Sequence, residues 1–530
     1  MEILSGEDGT DWDVLLDSVR PLLEDFLSVQ RDPLSRAVST SDAALLSRLK
    51  DPAPLPLNGG WISDILAELR RTVLDRGYCN GAHPQYFGYF HPRPLPAAVL
   101  GDAIAALLNQ SPAAWRMGAG AMVLDNEALC WIADFTGYGR GNASEGPPGI
   151  FTSGGTTANL AALKVARDTV LGRRIQLDGL MATARLRPTV YASCEGHYSI
   201  PRALDTLGLG RAALRPIPLD GSGRASAADL SRMVGADLDD GCLPLCVIGL
   251  AGTPSTGAVD PLDAFADIAR QYNMWFHVDG AAGAAFADLS ATRTAFRGID
   301  RADSLTVDPH KWFFLPYGIG CLLLRDSTEL GKSFSGSAHY WQDEESPDVL
   351  FMSPEGSRPW KSLGLWLTMR QLGKRGYAEL LGHNLEVARH LADELHSRPG
   401  FELLQEPTCP VCCFRVLPDR ADMDIDRFNE CLQRILLKAG QHYLSVCRPG
   451  GGSVYLRASI NNYSSQDRHV EALLDALDEA RLTATLQVTV QQRLEALQGF
   501  SGVAASTQEA SRAPRRSAPA GDLTGDFQLL

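Results

Sequence analysis

Between about Leu95 and about Arg370 the chain alternates short, almost uninterrupted apolar runs with helix-like stretches. Pro188 to Ala192, Leu243 to Ile248 and Met274 to Val278 are the clearest runs, and Ala264 to Gln271 has helical periodicity ahead of the last. A strand that is apolar on both sides must be covered on both faces. A mostly parallel sheet with helices on each side does this. Such sheets gather ligands beyond the carboxyl ends of their strands. The pattern predicts an α/β domain over residues 96–370 and points to its strand ends as the place for chemistry.

The flanks read differently. Trp12 to Leu27 and Trp61 to Leu74 carry apolar residues at i, i+3, i+4 spacing, with the proline-rich Asp51 to Gly60 between them. Residues 1–95 are therefore expected to be a helical segment lying on a larger body. After a helical stretch from Leu363 to His396, Val411 to Leu417 and Val454 to Ser459 read as strands flanking a helix near Phe428 to Ala439. That predicts a smaller α+β domain over 371–498. Residues 499–530, rich in Ser, Ala, Gly and Pro, have too little apolar surface to offset ordering and are expected to be a disordered tail.

Composition narrows the class. Hydrophobic residues make up 45% and charged residues 21%, as in soluble globular enzymes, and no apolar run is long enough for a membrane span. A net charge of −14 disfavours nucleic acid and anionic membranes as partners. The acidic N-terminus lacks a secretory signal, and eleven cysteines form no paired framework, so a cytoplasmic chain with reduced thiols is expected. The CxxC within Cys409-Pro410-Val411-Cys412-Cys413 has no second ligand pair at zinc spacing, so it reads as a buried strand and no metal is expected.

Three segments carry the chemistry. Phe151-Thr152-Ser153-Gly154-Gly155-Thr156-Thr157-Ala158-Asn159 runs from an apolar lead through a small-residue turn into a helix, which suits a phosphate or an ordinary helix cap. Phe276-His277-Val278-Asp279-Gly280-Ala281 delivers an acid at a strand end, followed by residues small enough to admit a flat ring. By itself that acid is better read as a helix cap. Ser304 to Trp312 ends in Asp308-Pro309-His310-Lys311-Trp312, and the apolar residues after Lys311 imply that the lysine is buried. Together they form the set that pyridoxal 5′-phosphate chemistry needs: a lysine for the aldehyde, an acid for the pyridinium nitrogen and a turn for the phosphate.

With these motifs, from about His83 to about Ser459, the chain resembles the group II pyridoxal-phosphate amino acid decarboxylases, which include aromatic-L-amino-acid decarboxylase. The resemblance implies a fold-type I, aspartate aminotransferase-like architecture. It also implies a Schiff base on Lys311, Asp279 on the pyridine nitrogen, Ala281 and His197 on the two ring faces, and Gly155, Thr156 and His310 at the phosphate. Tyr340, in a Ser- and Gly-rich loop after the lysine, falls on the position that returns a proton to the substrate carbon. These enzymes are homodimers with interface sites. Decarboxylation of an L-amino acid to CO2 and a primary amine is therefore expected. An oxidative deaminase or aldehyde synthase, an aminotransferase and a non-catalytic homologue stay open, as does the side chain: aromatic, branched aliphatic or acidic.

Overall fold

The computed structural model describes residues 12–32, 35–38, 43–141, 146–180, 186–336 and 348–509. The chain starts with α1 (Trp12–Arg31), α2 (Ala43–Lys50) and α3 (Ile62–Leu69), the last continuing as a π-helical stretch over Arg70–Gly77. No residue of α2 or α3 is buried, and ion pairs such as Arg48–Glu68 tie these helices together. A two-residue strand, β1 (Tyr86–Phe87), follows.

Seven strands then build a large sheet: β2 (Gly149–Thr152), β3 (Pro188–Ser193), β4 (Leu214–Ile217), β5 (Leu243–Leu250), β6 (Trp275–Asp279), β7 (Ser304–Val307) and β8 (Gly320–Leu324). Their order is β2-β8-β7-β6-β5-β3-β4. The five strands from β4 to β7 pair in parallel, whereas β8 is antiparallel to both of its neighbours. The apolar runs are buried on both sides. Along β5, Val247 joins the core on one face while Cys246 and Ile248 join the core on the other.

Helices α4 (Pro96–Leu108), α5 (Trp115–Phe135), α6 (Gly155–Val170), α7 (Ile175–Asp178), α8 (Ser199–Thr206), α9 (Ala227–Asp239), α10 (Leu262–Gln271), α11 (Pro309–Trp312) and α12 (Thr328–Phe334) complete this domain. The long α13 (Ser362–Ser397) leads away from it, with a kink at Gly373. Where α4 meets α13, a Cβ on Gly101 would come within 2.5 Å of Gly364 Cα, so the two backbones touch directly.

The smaller C-terminal α+β domain contains β9 (Phe401–Leu403), β10 (Val411–Val416), α14 (Ile425–Ala439), β11 (Tyr443–Cys447), β12 (Tyr455–Ser459) and α15 (Asp467–Glu509). Its five-stranded sheet runs β1-β11-β12-β10-β9, so its outermost strand comes from Tyr86–Phe87. A large mixed α/β domain and a smaller α+β domain are thus present. Helix α15 carries regular structure past Gly499 to Glu509, into the stretch expected to be a disordered tail, because the helical spacing continues through Leu494 and Leu497. The rest of that stretch lies outside the described residues.

Candidate active site

A cavity of about 740 Å³ opens where the parallel strands end and the small sheet faces them. Gly155, Thr156, His197, Asp279, Ala281, His310 and Lys311 all line it. Adjacent parallel strands bring the acid and the lysine together: Asp279 closes β6, and Lys311 follows β7 by four residues. Tyr340 lies outside the described residues.

Each side chain is held by identifiable partners. Asp279 accepts hydrogen bonds from the Ala281 N–H at 3.2 Å and from Asn159 Nδ2 at 2.8 Å. Lys311 Nζ is 3.1 Å from Asp308 Oδ2 and lies over the Phe90 ring at 5.5 Å. Asp308 faces the cavity and is paired, with its carboxylate so close to Gly155 that a Cβ there would meet it at 2.8 Å. His310 Nδ1 donates to Ile319 O at 2.5 Å, which fixes its ring and directs Nε2 towards the Asp308 side. Trp312 is buried and donates its indole N–H to Ala282 O at 2.7 Å. Phe314, three residues past the lysine, has φ +54°, a strained conformation for a bulky residue.

A directional chain of hydrogen bonds runs behind this wall. Trp275 Nε1 donates to Ser304 Oγ at 2.9 Å, and the Ser304 hydroxyl donates to His277 Nδ1 at 2.8 Å. His277 Nε2 then donates to Asn159 Oδ1 at 3.1 Å. The Asp279 carboxylate can only accept, so it fixes the Asn159 amide with its nitrogen towards Asp279 and Ser199. The Ser199 N–H and hydroxyl both face His197 Nδ1, at 3.2 and 2.9 Å, which puts the proton of the neutral ring on Nε2. Burial pushes the His277 imidazole down to about 4 and lowers His197 as well. The neutral tautomers required by the chain are therefore the stable ones.

Sequence reasoning missed two residues. Asn159 was within the quoted turn, and its place four residues after Gly155 was the available signal, since i and i+4 share a helix face. The other is Arg457, 5% exposed, on β12 of the small domain. It donates to Gly88 O and Ser255 O, both at 2.8 Å, and to Ser445 Oγ at 3.2 Å, with its guanidinium over Phe90. No carboxylate partners it among the described residues. A buried guanidinium held only by neutral acceptors at a cavity wall is a site for a carboxylate.

Comparisons with known proteins bear on the chain as a whole. A family model described as the pyridoxal-dependent decarboxylase conserved domain matches residues 47–417. The aromatic-L-amino-acid decarboxylase of Bacillus atrophaeus is 31% identical over 448 residues, covering 83% of this chain and 90% of that one. The cysteine sulfinic acid decarboxylase of Mus musculus is 30% identical over 485 residues, covering 87% and 96%. The crystal structure of Oryza sativa TDC with PLP and tryptamine matches with a TM-score of 0.82 at 25% identity, covering 91% of this chain and all of that one.

Proposed function

The chain belongs to the pyridoxal-dependent decarboxylase family, and from that premise we propose that Lys311, Asp279, His197 and Arg457 are the working residues of its amino acid decarboxylase site. It is a carboxy-lyase that uses pyridoxal phosphate to convert an amino acid to an amine with release of CO2. The residues fit the cofactor. The N-terminus of the sixteen-residue α6 has no side-chain cap and opens on the cavity beside Thr156 and His310, which suits a phosphate. Lys311 Nζ faces the same space, and Asp279 lies at the end of the neighbouring strand.

When bound, the cofactor supplies the aldehyde that captures the substrate amine and the ring that draws off the electrons left when CO2 departs. Lys311 would hold that aldehyde, with Asp308, 3.1 Å from its Nζ, keeping the lysine amine in place. Asp279, fixed by Asn159 and the Ala281 N–H, would hold the pyridine nitrogen protonated, because an opposite charge nearby favours the charged form. Ala281 and His197 would cover the two ring faces of the cofactor, and Gly155, Thr156 and His310 would hold its phosphate. Arg457 orients the substrate carboxylate. Tyr340, assigned from its place in the sequence after the lysine, returns the proton to the substrate carbon.

The side chain accepted is neutral and aromatic. Phe90, Tyr89, Tyr198 and Val446 surround the cavity, and Arg457 is the one guanidinium among the residues lining it, which leaves a second carboxylate without a partner. The exposed Leu46, Leu49, Trp61 and Ile65 of the N-terminal helices support a homodimer with sites at its interface. Eleven free cysteines support a cytoplasmic location, and the negative net charge is against a nucleic acid partner.

The observation that carries the assignment is Asp279 and Lys311 converging on one cavity from adjacent strand ends. The test incubates the holoenzyme with each amino acid and measures CO2, amine, ammonia and peroxide. CO2 and amine in equal amounts, best with an aromatic substrate and absent in Lys311→Ala, are expected. Peroxide with ammonia would instead identify an oxidative deaminase, and turnover that requires a 2-oxo acid an aminotransferase.

A further inference from the structure

The small-domain wall of the cavity carries two thiols that decarboxylation does not use. Cys413 on β10, Arg457 on β12 and Ser445 on β11 form one cross-strand row. Cys447, two residues beyond Ser445, points to the same face and lines the cavity. Cys413 lies buried behind it, with the two sulfurs 3.7 Å apart. In the neutral pair Cys447 donates to Cys413, and Cys413 donates to Ser255 O at 3.4 Å.

When Cys447 loses its proton, the Cys413 S–H turns to the thiolate, and Ser255 O keeps its bond from Arg457 Nε at 2.8 Å. The hydrogen bond from Cys413, and then the Arg457 charge, outweigh burial and move the Cys447 thiol down. The exposed Cys194 is moved up, chiefly by burial of its sulfur. Cys413 is nevertheless a poor disulfide partner. Strand β12 separates β10 from β11, and two inter-strand spacings put the main chains roughly 9–10 Å apart, beyond the ~7 Å that a disulfide spans.

We propose that Cys447 is a thiol-modification site within the cavity, taking a mixed disulfide from small carboxylate-bearing disulfides and so closing the subsite at Arg457. The Cys447 thiolate attacks one sulfur of the reagent, the reagent S–S bond breaks, and the other half leaves as a thiolate that takes up a proton. One half of the reagent is reduced, Cys447 is oxidised to the mixed disulfide, and excess free thiol reverses the exchange. Arg457, a buried cation without a carboxylate partner among the described residues, selects reagents bearing that group. The proposal rests on this cavity being the active site.

The test treats the holoenzyme with dithiobis(nitrobenzoate), which carries carboxylates, or with uncharged dithiodipyridine, and follows each cysteine by peptide mass spectrometry. The anionic reagent is expected to occupy Cys447 roughly tenfold faster than Cys194. Activity should fall with Cys447 occupancy and return with dithiothreitol. Cys447→Ser should keep its own untreated activity through treatment, and Cys413→Ala should slow labelling at Cys447. Labelling of Cys447 no faster than Cys194, or inactivation that tracks another cysteine, overturns the proposal. Full occupancy with unchanged turnover also overturns it, while loss of activity in Lys311→Ala separately tests whether the cavity is the active site.

Discussion

Arg457 shows what one side chain contributes here. Its charge is already desolvated and its geometry is set by Gly88 O and Ser255 O, so in the role proposed for it a substrate carboxylate would gain a strong contact without further ordering of the protein. Arg457→Met is expected to cost about 3 kcal/mol of transition-state binding, roughly a hundredfold in kcat/KM, with the visible absorbance of bound cofactor retained. Steady-state kinetics beside absorbance spectra decide it, and unchanged kcat/KM sinks the role. Lys311 and Asp279 could be picked out in the sequence because Asp279 ends one apolar strand and Lys311 lies four residues past the next, within a distinctive motif. Arg457 was not, since nothing local marks it: Val454 to Ser459 reads as one more strand, and only the folded chain brings Arg457 against Gly88 and Ser255. The His277–Asn159–Ser199 chain was equally hidden, because its members come from β6, α6 and the start of α8.

Among the elements, strand and helix positions followed the apolar spacing closely, while strand direction did not. A fully buried strand has the same composition either way, so the antiparallel β8 could not be told from its parallel neighbours. The crossing of α4 and α13 was also invisible, since Gly101 and Gly364 read as weak points in helices until their contact is seen. At that crossing an added methyl has no space against backbone. Gly101→Ala is therefore expected to destabilise the protein by about 1–3 kcal/mol. Because α4 begins one residue after Leu95, whose N–H holds Phe314 O at 2.9 Å, cofactor retention should also weaken. Chemical denaturation and cofactor release on dilution measure the two effects. A variant as stable as the wild type would show that the helices part without cost.

For the whole molecule, pH is the informative variable. Burial pushes His277, His442 and His469 each down to about 4. Between about 6.5 and about 4 the unfolded chain takes up protons at these positions that the folded chain refuses, so stability falls as the pH drops through that window. Asp260, pushed up to about 6 by burial, acts in the opposite sense and offsets part of this loss. The urea midpoint should therefore be lower at about pH 5 than at about pH 7.5, and equal midpoints would refute the balance. The large α/β and smaller α+β architecture was legible from the change in patterning along the chain, but the seating of β1 on the small sheet was not, because a two-residue strand leaves no periodicity. That seating has a consequence in time. The strand that edges the C-terminal sheet, and the Gly88 carbonyl that steadies Arg457, are made early, whereas β11 and β12 are made late. Pairings this distant in sequence form slowly and last. An emerging chain therefore carries Lys311 and its surroundings well before β11 and β12, so the wall of the cavity that holds Arg457 is added to one already made.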